Sequence, residues 1–259
     1  MGKQEHRDVA TLSKNDKPTV VSLSGAPIFR HGEAAPFEGP RGEMCLEQIS
    51  AHIETHLGEV ETVFHEIVSD TVHVDVHIVK PSTTSPHVRL VTSGMSDLPM
   101  RIPAGSSAPR FTELMATLPP SWRLDQASFE HETWYWPIRL LKYLARLPHK
   151  YNTWLGYGHT VPNGDPTEPY APNTQLVCAL ILPSVSVPDE FRNLRIDEQK
   201  TITFYSVVPL YREEMNLKLR FGCDALLEKL DRHDITDVID PARRNSAKKR
   251  FGIFWRVKG

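Results

Sequence analysis

The sequence predicts an α+β fold, a mixed and largely antiparallel sheet packed with helices in a single domain. Three observations predict it. Residues 71–79 alternate strictly, with Val72, Val74, Val76 and Ile78 on one face and His73, Asp75 and His77 on the other, as in a strand. Leu46, Ile49, Ile53 and Leu57 recur at helical steps. Strand-like and helix-like stretches also come in groups, which favours α+β over a regular βαβ succession.

The elements follow in order. Residues 1–41 read as a flexible extension, polar and charged to about residue 17, then extended and loosely packed through a Gly/Pro-rich run. The domain is expected over 42–259. A helix over 43–57 stops at Gly58. Residues 63–68, 71–79 and 88–91 read as three strands, with a turn at Ser69-Asp70 and a loop over 81–86, which implies an antiparallel meander. A helix is predicted over 110–118 from Phe111, Leu114, Met115 and Leu118, ended by Pro119-Pro120. Another is predicted over 137–147, with Pro137 at its first position, where a missing N–H is harmless. Residues 152–173 read as a long loop. Strands are expected over 176–182 and 201–208, a helix over 211–221 stopped by Gly222, a helix capped by Asp224 through about Arg232, and a closing strand over 251–255.

Composition narrows the function. The 259 residues carry 30 Lys+Arg against 32 Asp+Glu, a net charge of −2, which argues against a nucleic-acid binder. The basic cluster Arg243-Arg244 to Lys248-Lys249-Arg250 has no interleaved stacking aromatics and reads as a solvated run. No signal peptide or membrane-length apolar stretch is visible, so a cytoplasmic location is expected. The 3 cysteines, Cys45, Cys178 and Cys223, are too few and too scattered for a disulfide scaffold. The 21 prolines against 14 glycines imply much ordered loop.

Few motifs carry chemistry. No phosphate-cradling, zincin or CxxC pattern occurs. His73-x-Asp75-x-His77 would place three metal-type donors on one strand face roughly 7 Å apart, and it supports a metal-dependent hydrolase as an alternative. The competing reading is the solvent-facing polar side of a half-buried strand. The expectation is no metal, no cofactor and no enzymatic activity. Ser93-Gly94-Met95-Ser96-Asp97 reads as a Gly-containing turn that lacks the nucleophile-elbow pattern. The loop Trp154-Leu-Gly-Tyr157-Gly-His159-Thr-Val-Pro-Asn163-Gly-Asp165, preceded by Trp134-Tyr135-Trp136 and Tyr143, concentrates the large aromatics that binding hot spots use. Packing of the loop on its own domain is the other reading. Ser93, Asp97, Trp154, Tyr157, His159, Asn163 and Asp165 are therefore the candidate partner contacts.

These pieces in this order resemble the suppressor of fused domain family, most closely its compact bacterial branch. The stretches that carry the resemblance are Val60-Glu-Thr-Val-Phe-His-Glu-Ile-Val-Ser-Asp with Val72-His-Val-Asp-Val-His, Leu90-Val-Thr-Ser-Gly-Met-Ser-Asp97 and Glu113-Leu-Met-Ala-Thr-Leu-Pro-Pro. Further along are Tyr135-Trp-Pro-Ile-Arg with Leu144-Ala-Arg-Leu-Pro, the 154–165 loop, and Phe204-Tyr-Ser-Val-Val-Pro-Leu-Tyr-Arg-Glu-Glu-Met215. Together they span roughly residues 43–254. The resemblance implies a protein-binding module. Animal members regulate Hedgehog signalling in the cytoplasm by sequestering zinc-finger transcription factors, holding a partner peptide between two domains by strand addition. Here the resemblance spans one domain, and the acidic contact turn of the animal protein reads Tyr157-Gly158-His159. For the bacterial branch the resemblance implies an immunity protein that neutralises a toxin domain by stoichiometric binding. A cytoplasmic regulator that sequesters a partner protein such as a transcription factor is the alternative within binding modules.

Overall fold

Strands buried on both faces build the centre of the molecule. A computed structural model describes residues 20–32, 34, 44–64, 72–83 and 85–248. Among them, β1 (Val20–Val21) and β2 (Pro27–Ile28) form a small antiparallel hairpin. The main sheet has eight strands: β3 (Val60–Phe64), β4 (Asp75–Val79), β5 (Val88–Ser93), β6 (Phe111–Leu118), β7 (Thr160–Pro162), β8 (Leu176–Leu182), β9 (Asn193–Arg195) and β10 (Thr201–Tyr211). Their order is β3-β4-β5-β6-β10-β8-β7, with β9 also on β10. All pairings are antiparallel except β6 with β10, which is parallel. The expected meander is present and extends to β6. The part of the first expected strand beyond Phe64, the 69–70 turn and the 251–255 strand lie outside the described residues.

Helices cover both faces. The long α3 (Glu132–Lys150) lays Trp136, Ile138, Leu141, Leu144 and Ala145 against Val76, Ile78, Leu90, Leu114 and Ala116. On the opposite face α1 (Leu46–His56) buries Ile49 and Ile53 against Val79, Val91, Met115 and Phe204. Each of those isoleucines contributes roughly 1.5–3 kcal/mol by leaving water. Beside α1, α4 (Arg212–Phe221) and α5 (Cys223–Asp231) cover Val177, Leu180, Val208 and Leu210. The strand β10 shows the division by parity. Ile202, Phe204, Val208 and Leu210 face α1 and the α4–α5 pair, while Tyr205 and Val207 join the α3 core.

Four expectations need correction. The predicted 110–118 helix is instead the strand β6, Phe111–Leu118. Its positions 112–118 are all buried because strands flank it and helices cover both faces, and a short apolar run of that kind shows no strand alternation. Pro137 is not the first residue of α3, which begins at Glu132, so the ring sits in the second turn and leaves the Thr133 carbonyl without its helical N–H partner. The 152–173 stretch is not loop throughout, because β7 pairs with β8 inside it. Asp224 lies in the first turn of α5 while Gly222 occupies the cap position, where φ is +95°. Asp224 still meets the positive end of the helix dipole. The short α2 (Gln126–Phe129) has a side-chain cap, with Asp125 accepting the Ser128 N–H at 3.0 Å.

Candidate functional site

The 93–97 turn follows directly from β5 and is built inward. Gly94 has φ +104°, and a Cβ there would sit 1.8 Å from the His73 carbonyl oxygen, so only glycine lets the strand entering β4 pass. Ser93 is 3 % exposed, and its hydroxyl lies 2.9 Å from His77 Nε2. Register places Ser93 opposite Asp75, inside the sheet and not on an exposed surface. The Ser96 N–H and hydroxyl donate to Glu113 Oε1 at 2.8 and 2.6 Å, and the Thr92 hydroxyl donates to Oε2 at 2.5 Å. Burial pushes the Glu113 carboxyl up to about 7 despite those donors. The half-buried Asp97 carboxyl is likewise pushed up to about 6 by burial, opposed by Lys200 and the Cys45 N–H.

Two of the three HxDxH side chains also end up inside, while His73 stays exposed. Asp75 is 5 % exposed and His77 is fully buried, so these two are not the solvent-facing side of a half-buried strand. They do not converge as ligands either. Asp75 Oδ1 pairs with His73 Nε2 at 3.0 Å, while His77 turns to Ser93. Among the described residues, no group of three or more His, Cys, Asp or Glu side chains is placed to hold a metal ion.

The 154–165 loop packs on the edge of the sheet at β8 and at the α4–α5 corner. The Gly158 N–H donates to the Ile181 carbonyl at 2.8 Å, and the Ile181 N–H returns to the His159 carbonyl at 2.9 Å. Trp154 is half-buried, edge-to-face with Phe29 and His159 at 5.3 Å each. Burial, with Lys218 nearby, pushes the His159 imidazole down to about 4, so it is neutral at physiological pH and serves to pack. Asn163 Nδ2 donates to the carbonyls of Glu168 and Pro169 at 2.9 and 3.3 Å and closes the loop's end. Trp154, His159 and Asn163 therefore shape the loop, whereas Tyr157 is 54 % exposed and Asp165 projects to an exposed ion pair with Arg30 at 3.1 Å.

Two exposed apolar side chains join Tyr157 that sequence reasoning did not single out. The Ser24 N–H donates to the Leu219 carbonyl at 3.1 Å, which docks the β1–β2 hairpin on the end of α4. Leu23 in that hairpin is 85 % exposed, and Phe221 at the end of α4 is 62 % exposed. Gly158 lies against Cys223 at the start of α5, so Tyr157 shares this corner. The signal for Phe221 was its place as an apolar residue directly before a helix-stopping glycine. For Leu23 there was none, since contact between the hairpin and α4 spans nearly 200 positions.

The basic cluster at 243–250 is in part a structural latch. Arg243 pairs with the fully buried Glu214 at 2.6 Å and lies 5.0 Å over the Tyr211 ring. Lys249 and Arg250 lie outside the described residues.

Comparison with known proteins fits this architecture. The sequence model of the suppressor of fused protein (SUFU) family matches residues 70–244. Among solved structures, a suppressor of fused homologue from Neisseria gonorrhoeae FA 1090 aligns with a TM-score of 0.57 at 16 % identity, covering 78 % of this chain and 97 % of that one. A chain of the Sufu–Fu complex crystal structure aligns with a TM-score of 0.54 at 13 % identity, covering 80 % of this chain and 93 % of that one. No curated protein matches the sequence.

Proposed function

This chain belongs to the suppressor of fused family, a family of protein-interaction domains, and from that premise we propose that it is an immunity-type protein that neutralises a toxin domain by stoichiometric binding, without chemistry of its own, in the cytoplasm. The observation that carries the surface assignment is the exposure of Leu23, Tyr157 and Phe221 on three segments whose neighbouring residues meet at the α4–α5 corner. Exposed aromatic and apolar side chains beside one another are the usual core of a protein interface. Trp154, His159 and Asn163 support this surface from beneath. Asp165 and Arg30 border it, and Asp97 lies apart in the buried turn. A specific interface covers about 800 Å² per partner, so the β1–β2 hairpin must contribute alongside the loop. No helix among the described residues is long and apolar enough to cross a membrane.

The test is calorimetric titration of the chain with a candidate toxin domain, together with protection of cells producing that toxin. Tyr157→Ala with Phe221→Ala is expected to weaken binding at least about a hundredfold and abolish protection, at unchanged melting temperature. Full protection by the double variant overturns this surface. A regulatory partner is the second reading, favoured by the likeness to a chain of the Sufu–Fu complex. Binding without any protection against the toxin selects it.

A further inference from the structure

The 93–97 turn ties both helical layers to the sheet. On the α3 side, His149 Nε2 donates to the Met95 carbonyl at 2.8 Å. On the α1 side, the Asp97 carboxylate accepts the N–H of Cys45, the residue at the N-cap position of α1. Between these two anchors, Ser96 gives both its N–H and its hydroxyl to Glu113 on β6. Two carboxyl groups are therefore joined to neighbouring residues of one short turn, Asp97 directly and Glu113 through Ser96. The helix held there covers Val79, Val91, Met115 and Phe204, so whatever fastens its first turn governs how readily that face of the sheet opens.

The two carboxyls act on each other, since the Asp97 charge opposes ionisation of Glu113. Inside the protein such a pair does not readily ionise twice, and it titrates as a unit. Surrounding groups decide which member keeps the proton. The charge of Asp97 is favoured by Lys200 ahead of β10, by the Cys45 N–H and by His73, and opposed by Asp75. Glu113 has only hydroxyls and one backbone N–H. No imidazole supplies it with a cation: His77 faces Ser93, and burial pushes His149 away from its charged form. Glu47, in the first turn of α1, is exposed. Glu113 is therefore the member that holds the proton, and ionising it adds a second negative charge beside Asp97. We propose that the 93–97 turn is a proton-operated clip on α1: with one proton held between Glu113 and Asp97 the turn fastens the start of α1 to the sheet, and loss of that proton lets α1 open locally while the sheet stays folded. The sign follows from where the proton is held. In the closed turn Glu113 keeps it up to about pH 7, and once the turn opens the carboxyl releases it at its ordinary 4.5, so opening is favoured as pH rises through that window. The clip does not depend on the Tyr157 corner or on any partner.

The test is native-state hydrogen exchange of the full chain, followed from about pH 5.5 to about pH 7.5 and corrected for intrinsic exchange. Amides of α1 report the clip, and amides of β8 and β10 report global opening. Opening of α1 is expected to rise at least about tenfold more than that of the reference strands across the window. Glu113→Gln keeps an acceptor for Ser96 and is expected to hold the rise below about twofold. Asp97→Asn keeps an acceptor for the Cys45 N–H but removes the charge, and is expected to move the midpoint of the rise down by at least about half a pH unit. A merely structural role for either side chain would not move that midpoint. Tyr157→Ala leaves every one of these readings unchanged. Melting curves matching the parent at the acid end show that the variants fold, and if Glu113→Gln does not fold, the Asp97→Asn midpoint carries the test. Equal pH dependence in α1 and the reference strands, an undiminished rise in folded Glu113→Gln, or an unmoved midpoint in Asp97→Asn overturns the proposal.

Discussion

Glu113, at the sheet end beneath α1, and Glu214, at the C-terminal latch, are both fully removed from solvent, yet their surroundings drive them in opposite directions. Around Glu113 the donors are neutral: two hydroxyls and one backbone N–H. Burial dominates there and lifts the carboxyl up to about 7. Around Glu214 burial also pushes upward, but Arg243 makes two hydrogen bonds to the carboxylate, at 2.8 and 2.6 Å, and Tyr211 and Ser246 add backbone N–H groups. The net effect holds Glu214 below its ordinary value. A buried carboxylate is thus set by whether a full charge faces it, more than by burial itself.

The largest expected effect comes from breaking the latch. Arg243→Ala leaves Glu214 buried without its cation and is expected to cost about 3–5 kcal/mol in urea denaturation. A loss below about 1 kcal/mol would mean that the pair is not buried in solution.

Next in size is the pH response of Glu113. Its folded value lies above the unfolded 4.5, so the folded state holds a proton that the unfolded chain has released as pH rises from 4.5 to about 7. Across that window stability falls by an amount on the order of 3 kcal/mol. Glu113→Gln is expected to remove this slope while keeping a fold like the parent's, as read by denaturation at several pH values. Glu214 has the opposite sign: its stabilisation is present above its unfolded value and lost as pH falls through its depressed folded one.

Gly94→Ala sharpens the Glu113 side. The added methyl meets the His73 carbonyl, and the turn that presents Ser96 to Glu113 has to shift, at an expected loss of about 2 kcal/mol or more in melting experiments. The smallest effect belongs to the exposed pair Arg30–Asp165, the surface counterpart of the buried latch. A double-mutant cycle is expected to give a coupling below about 1 kcal/mol that vanishes in high salt.

Much of the architecture was legible. The period in 43–57, the strands at 71–79, 88–91, 176–182 and 201–208, and the Gly222 stop all correspond to elements found here. The failure at 110–118 has a physical cause. Once neighbours cover both faces of a strand, its residues lose the alternation that marks it, and Leu114 and Met115 then read as one side of a helix when they point to opposite faces. That misreading also hid Glu113. The candidate site was legible in part: the aromatic loop was visible as a surface feature, but the sequence did not tell Trp154, wedged between Phe29 and His159, from the outward Tyr157.

What the sequence by itself determined are properties set by residues close along the chain. These are helical and strand periods, glycine stops, the absence of phosphate and zincin motifs, and an ordered set of stretches that resembles one family. Only the tertiary structure decided which polar groups are buried and with whom. His77 meets Ser93 because strand register brings together positions 16 residues apart. Glu214 finds Arg243 across 29 residues because the C-terminal segment folds back over β10 and α4. The β1–β2 hairpin that carries Leu23 is docked on the end of α4 by the Ser24 N–H on the Leu219 carbonyl. Local periodicity carries no information about such pairings, since their energies come from desolvation and charge at contacts that exist only once the chain has closed.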